Sequence, residues 1–250
     1  MPTKRSTCRA LAVCAITTLL PAQQSQLPIA ERTEHFAIHC RPGSRAEASV
    51  DRTASLVEAD LAHILQELGL KEFPHTIDLF LYDDEHDLQQ STGVAASGYS
   101  VPLASHVPHD NDQTRVHELV HVVAEKFTEH GPEPRNLFFA EGLANAVLRF
   151  VTGVHVDAVA AFHRRRGDLP SLAEVQGAPD FYKWLQQHPH VDGYDVAGSW
   201  LRFLLDAYGA EAVRRYYRGV PAREAFGKPL DELEAAWHAR LDAVVLRPGT

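Results

Sequence analysis

The sequence has little cysteine, no long apolar run and fewer basic than acidic residues. Of its three cysteines, Cys8 and Cys14 lie near the N-terminus and only Cys40 lies farther along the chain. A lone cysteine excludes a disulfide within that main part. No uninterrupted apolar run reaches the roughly 20 residues that span a bilayer, so stable membrane insertion is not expected. The packing of a hydrophobic core therefore has to stabilise the domain.

Positive charge is also scarce. The chain has 24 Lys and Arg against 33 Asp and Glu, a formal net charge of −9, and no basic stripe interleaved with aromatic residues. Nucleic acid binds proteins through basic surfaces, so it is not an expected partner. Hydrophobic content of 45% and charged content of 23% are typical of a globular protein. With 250 residues and no internal repeat, we expect a single domain.

The N-terminus differs from the rest of the chain. Lys4, Arg5 and Arg9 precede a short apolar stretch, and polar residues follow it. A basic start, an apolar core of about 12 residues and a small residue at its end are typical of a secretory signal peptide. We predict a signal peptide at 1–22 with cleavage after Ala22, which leaves 21 basic and 33 acidic residues, or −12. The mature domain is then expected in the periplasm or outside the cell.

Strand patterns are confined to the first part of the mature chain, and helical patterns dominate the rest. Polar–apolar alternation predicts strands, and apolar residues at helical spacing predict helices. Strands are expected at 34–40, 76–82 and 96–107, and helices at 45–70, 113–128, 136–150, 193–209 and 229–245. The sequence therefore predicts an α+β, mostly helical fold in one domain, 23–250, with a strand-rich part at 33–110 and a helical part at 111–246.

The segment 96–107 is expected to form an edge strand just before the next helix. Gly98 and Pro102 indicate an irregular or edge strand. Pro102 has no backbone N–H, so pairing with another chain is expected to be partial there. His106 and His109 are interpreted as solvated loop histidines.

A His-Glu-x-x-His pattern carries the clearest chemistry in the sequence. His117 and His121 are four residues apart in a predicted helix, so both project from one face and can reach one Zn²⁺. Glu118 lies about 100° round that helix, where it suits a general base rather than a ligand. Chance produces such a pentapeptide in about one protein in seventeen of this composition, so the pattern alone only suggests a site.

A catalytic zinc ion needs a third protein ligand and an open fourth position. Nineteen residues separate His121 from Glu141, which lies in a strongly apolar helical pattern. Buried carboxylates almost always have a partner, and a metal is a sufficient one. Gly142, next in the chain, permits close approach of another helix. The alternative interpretation of Glu141 is a surface glutamate on a half-exposed helix.

The order "HELVH", nineteen residues and "EGLAN" resembles the gluzincin zinc peptidases, and most of all the peptidase MA-like family of exported bacterial domains. Weaker similarity is scattered over 33–241, at "TEHFAIHC", "GYDVAGSWLRFLLDAYG" and "AREAFGKPLDELEAAWHARL". The resemblance implies a zincin-like fold with an edge strand beside the zinc helix, and peptide or protein substrates. It makes His117, His121 and Glu141 the Zn²⁺ ligands and Glu118 the base that shuttles protons.

Two further residues follow the family pattern less closely. The resemblance implies that the residue four after the ligand glutamate orients the first zinc histidine, and that place holds Asn145 rather than Asp. An amide can still accept an imidazole N–H, but it supplies no negative charge. Tyr194 matches an aromatic position that would stabilise the oxyanion. A core tyrosine is the alternative interpretation, and His188 or His190 could take the same role from a loop.

Two functions from different classes remain open at this point. The first is an exported zinc metallopeptidase that hydrolyses peptide bonds with Glu118 as general base. The alternative is a zinc-loaded but catalytically weak or inactive domain that binds a peptide or protein. A third reading makes the motif accidental and the chain a structural protein without metal.

Overall fold

The computed structural model describes residues 27–127, 137–178 and 180–246. The predicted signal peptide lies outside these ranges. The strands are β1 (Ile29–Arg32), β2 (Phe36–His39), β3 (Ile77–Tyr82), β4 (Tyr99–Val101), β5 (Ala104–Pro108), β6 (Phe150–Val151) and β7 (Val154–His155). The helices are α1 (Val50–Glu67), α2 (Glu85–Thr92), α3 (Asp112–Ala124), α4 (Leu137–Leu148), α5 (Val156–Arg166), α6 (Leu172–Gly177), α7 (Phe181–Gln187), α8 (Gly193–Tyr217), α9 (Ala222–Phe226) and α10 (Leu230–Asp242). Of the helices in these ranges, none combines enough length with enough hydropathy for a membrane span.

The fold is α+β, with one five-stranded mixed sheet and a larger set of helices. The strand order is β1-β2-β3-β5-β4. β2, β3 and β5 are parallel neighbours, and β1 and β4 pair antiparallel at the two edges. α1 connects β2 to β3, because parallel neighbours need a long crossover. The predicted α+β class is confirmed.

The chain divides into two compact units. Among the described residues, the first contains 27–60 together with 74–118, and so the whole five-stranded sheet. The second contains 61–73 and the described residues between 119 and 246, where the regular elements are helices apart from the β6–β7 hairpin. The divisions fall inside α1 and α3, so each of these two helices contributes residues to both units.

The strands predicted at 34–40 and 76–82 are confirmed as β2 and β3. β2 is wholly buried and β3 is buried at five of its six positions, as expected for inner parallel strands covered on both faces. β1 was not predicted. Its four residues are all exposed, so its sequence carries no alternation of apolar and polar residues.

The predicted edge strand at 96–107 is a hairpin instead of one strand. Of the two strands of this hairpin, β4 lies at an edge of the sheet and β5 lies inside it, between β3 and β4. Pro102 and Leu103 form the two-residue turn, in which Leu103 has a φ of 58°. Pro102 is favourable there because its fixed φ suits the first central position of such a turn. Pro102 therefore lies in the turn of the hairpin and not within the edge strand β4.

His106 is a core residue, so its interpretation as a solvated loop histidine is also wrong. It lies on β5, is 5% exposed, and is paired in register with Phe80. Its ring stacks between those of Phe80 and Tyr99, with centroids 4.5 and 4.4 Å away. The Tyr82 hydroxyl lies 2.9 Å from Nδ1, which accepts its hydrogen bond when the ring is neutral. Burial, helped by the nearby His39, lowers the pKa of His106 to about 4.

The lowered pKa of His106 predicts a loss of stability on mild acidification. Between about pH 6.5 and 4 the unfolded chain binds a proton that the folded chain does not, so the free energy of unfolding falls as pH falls. A pKa shift of this size lowers the free energy of unfolding by about 3 kcal/mol in total, and most of that decrease has occurred by pH 5. Urea unfolding at pH 7.5 and pH 5 measures the difference. His106→Phe should flatten this dependence, whereas His63→Phe, at an exposed position of α1, should not.

Candidate metal centre

Local contacts fix the start of α3, the helix that carries the His-Glu-x-x-His motif. The Asn111 side chain caps the helix by accepting the backbone N–H of Thr114 at 2.9 Å. Arg115 is buried and donates to Asp60 of α1 through Nε and Nη2, at 3.0 and 2.8 Å. It also bonds Asp112 at 2.5 Å. These contacts hold the helix two residues before the first motif histidine.

The rest of α3 is organised by its apolar face. Leu119, Val120 and Val123 are fully buried, and His117 and His121 are partly exposed one turn apart on another face. Both imidazoles therefore project in the same direction, as the sequence predicted. Glu118 is 8% exposed.

Glu141 lies in a helix that is buried along most of its length. Nine of the twelve residues of α4 are buried, and Glu141 itself is 7% exposed. The interpretation of Glu141 as a surface residue is therefore wrong. A Cβ added at Gly142 would lie 2.9 Å from the carbonyl oxygen of Ala197 in α8. Gly142 thus permits close approach of another helix, as predicted.

The structure brings the three predicted ligands together. Single ligand atoms of His117, His121 and Glu141 all lie within 4.8 Å of one another. Nε2 of His121 and Oε2 of Glu141 are 3.6 Å apart. Two ligand atoms on one tetrahedral zinc ion are separated by about 3.4 Å, so the spacing and the donor types both fit this metal.

The edge of the sheet reaches α3 beside Glu118. A Cβ added at Gly98 would lie 3.3 Å from Cγ of Glu118 and would collide with Cγ2 of Thr114. Only glycine lets the chain that leads into β4 run so close to this helix. The predicted neighbourhood of edge strand and motif helix is therefore present in the first unit.

Asn145 and Tyr194 are placed by contacts at the start of α8. Asn145 is 4% exposed, and its Nδ2 donates to Oδ1 of Asp195 at 2.9 Å. Tyr194 is half-buried and meets Phe181 edge to face at 6.1 Å, and Phe181 meets Phe138 of α4 in the same way at 5.4 Å. The roles predicted for Asn145 and Tyr194 stay predictions.

The two loop histidines offered as alternatives to Tyr194 differ in their surroundings. His188 stacks on Trp184 with centroids 4.3 Å apart, and its Nδ1 lies 2.8 Å from the Trp184 carbonyl oxygen. His190 is exposed. His188 is therefore partly engaged in holding the end of α7.

A buried histidine that the sequence did not indicate holds the residue before α8. His163 is fully buried and lies between two carboxylates, with Nδ1 2.9 Å from Asp168 and Nε2 3.0 Å from Asp192. Burial opposes its charge, but the hydrogen bonds to Asp192 and Asp168 outweigh burial and raise its pKa. The residues before Tyr194 are thereby tied to α5. A histidine that directly precedes three arginines gives no signal of such burial.

No family model matches the chain, and no curated protein shows significant similarity to it. Function is therefore inferred from the side chains and their geometry.

Proposed function

We propose that the chain is an exported zinc-dependent peptidase that hydrolyses peptide bonds with Glu118 as general base. The observation that carries this proposal is the convergence of ligand atoms from His117, His121 and Glu141 within 4.8 Å of one another, with Glu118 next along the helix. Two imidazoles and one carboxylate are a donor set that catalytic zinc takes, with a fourth position left for water or substrate.

When bound, zinc supplies a Lewis acid that activates a water molecule and polarises the substrate carbonyl. The donor set favours this metal, because imidazole suits zinc better than it suits magnesium or calcium. The burial of Glu141 agrees with a ligand role as well, since metal coordination is one of the ways in which a buried carboxylate is stabilised.

Glu118 moves the proton in this mechanism. It follows His117 directly but lies about 100° round the helix, and it is not among the three grouped ligands, so it is proposed to act on the reacting water rather than to bind the metal. Its carboxylate accepts the proton of the attacking water and delivers it to the leaving amine. Its low exposure supports this role, because a carboxylate held away from bulk water exchanges its proton with the bound reactant.

The substrate is proposed to bind as an extended strand along β4. β4 is one of the two edge strands of the sheet, and the chain leading into it meets α3 at Glu118. Backbone hydrogen bonds to a sheet edge position an extended peptide without recognising its side chains. Tyr194 is proposed to donate a hydrogen bond to the oxyanion that develops on the substrate carbonyl.

Export of the protein belongs to the same proposal. It is supported by the basic, apolar and polar order of the first residues, which is typical of a signal peptide. Protein recovered from outside the cytoplasm should begin at Gln23.

Metal content and chelator sensitivity test the proposed function. The zinc-loaded wild type should hold one zinc ion per chain and cleave peptides from a broad library, and a chelator should stop cleavage until zinc is returned. His121→Ala and Glu141→Ala should lose the bound zinc, because each removes one of three ligands. His63→Ala, which removes an exposed histidine of α1, is the matched control and should retain it. A wild type without stoichiometric zinc contradicts the proposal, and one that binds zinc but cleaves nothing favours the binding domain.

A further inference from the structure

A hydrogen-bonded pair joins α4 to α8 next to the candidate ligand Glu141. Asn145 lies four residues after Glu141, so it is one turn along the same face of α4. Its side chain is almost wholly buried, and its Nδ2 donates to Oδ1 of Asp195 at 2.9 Å. Nothing in the sequence connects these two residues, which are 50 positions apart.

The chemistry of the pair fixes the orientation of the amide. An ionised carboxylate can only accept hydrogen bonds, so the amide nitrogen of Asn145 must be the atom that faces Asp195. The amide oxygen is then turned away from Asp195, and this oxygen can only accept. The pair therefore turns the amide oxygen of Asn145, a hydrogen-bond acceptor, away from Asp195 at a position one turn from Glu141.

Close packing keeps this amide where it is. A Cβ added at Gly198 would lie 2.7 Å from Cβ of Asn145, so α8 passes directly over the base of that side chain. Three residues before Asp195, the hydrogen bond between His163 and Asp192 ties the residue before α8 to α5. The first turn of α8 is thus held against both α4 and α5, and Asp195 is presented from a fixed position.

We propose that Asp195 is a positioning residue of the metal centre and acts through Asn145. It holds the amide so that its oxygen accepts the N–H of a metal-ligating imidazole, and it adds the negative charge that an amide lacks. Ligand histidines generally donate their second N–H to a carboxylate or carbonyl group, and loss of that partner costs 10–100-fold in metal affinity. This inference rests on the proposed function, because it requires that His117, His121 and Glu141 bind a metal.

A purely structural role for the pair predicts a different result. If the bond only ties α4 to α8, its loss lowers the free energy of unfolding and leaves zinc affinity unchanged. If it positions a ligand, zinc affinity falls by much more than stability. The two roles are separated by measuring both quantities on the same variants.

The experiment measures the zinc dissociation constant by competition with a chromophoric chelator, together with urea unfolding of the zinc-free protein. Asp195→Ala is expected to weaken zinc binding 10–100-fold. Asp195→Asn keeps the shape but removes the charge, and should also weaken zinc binding, which keeps the test available if the alanine variant does not fold. Asp206→Asn is the control, because it disturbs ion pairs of α8 with Arg202 and Arg240 and should leave zinc affinity within twofold.

The exchanged double variant Asn145→Asp with Asp195→Asn is the decisive rescue. The amide at position 195 then donates to the carboxylate at position 145, so the bond and the charge are both kept, and zinc affinity should return to within a few-fold of wild type. Wild-type zinc affinity in both Asp195 variants overturns the positioning role alone, as does an exchange that restores stability without restoring affinity. A wild type that binds no zinc overturns this inference and the proposed function together.

Discussion

Glu118→Gln is expected to lower peptide cleavage by about 10²–10⁴-fold while the bound zinc is retained. An amide has nearly the same shape as a carboxylate, so the packing of Cγ beside Gly98 is preserved. The glutamine amide cannot accept the proton of the attacking water, so we expect kcat to decrease. Glu118 is not among the three side chains grouped as ligands, so the metal should stay.

Zinc content and steady-state kinetics on one preparation check this result. The matched control is Glu72→Gln, which removes an exposed carboxylate of the loop between α1 and β3 and should leave kcat unchanged. A Glu118→Gln enzyme that retains cleavage within tenfold of wild type removes this residue from the mechanism. Loss of zinc from this variant, with the fold intact, would instead make Glu118 a ligand.

Arg202→Met is expected to lower the free energy of unfolding by about 3 kcal/mol. Arg202 of α8 is 4% exposed, and its guanidinium donates to Glu67 of α1 at 2.6 Å and to Asp206 at 2.6 Å. Methionine fills a similar volume, so the cost comes from two carboxylates that lose a buried cation. The expected loss of stability lies at the lower end of the range for broken buried ion pairs. Glu67 still pairs with Arg149, and Asp206 still pairs with Arg240.

Urea unfolding of three variants checks that interpretation. Arg214→Met, on the same helix, breaks the more exposed pair with Glu211 and should change stability by less than about 0.5 kcal/mol. Adding Glu67→Gln to Arg202→Met should cost less than the sum of the single changes, because the stranded carboxylate is removed. Strict additivity of the two changes would show that Glu67 and Arg202 do not depend on each other.

Local patterns predicted the elements that carry the site. The motif histidines required only helical spacing, and α3 places them one turn apart. The burial of Glu141 was predicted from the apolar residues around it, and α4 is buried along most of its length as expected. The helix predicted at 193–209 also ends its first regular segment where expected, because φ is 78° at Gly209 and the helical conformation is interrupted there within α8. In each case the signal is contained in a few consecutive residues.

Contacts between distant segments were not predictable in this way. His106 was misread because its burial depends on its register opposite Phe80, which no short window of sequence records. The bonds of Asn145 with Asp195 and of Arg202 with Glu67 join residues 50 and 135 positions apart. An acidic residue in the first turn of a helix is ordinary, so Asp195 carried no sign of its partner.

The amino-acid sequence by itself determined the types and spacing of the candidate ligands, the α+β class and the course of the five longest described helices, because these depend on periodicity within one element. Only the tertiary structure decided that His117, His121 and Glu141 converge, that Glu118 adjoins the sheet edge and that Asn145 faces Asp195. Those distances follow from how closely helices pack. Gly142 and Gly198 permit that packing because glycine has no Cβ.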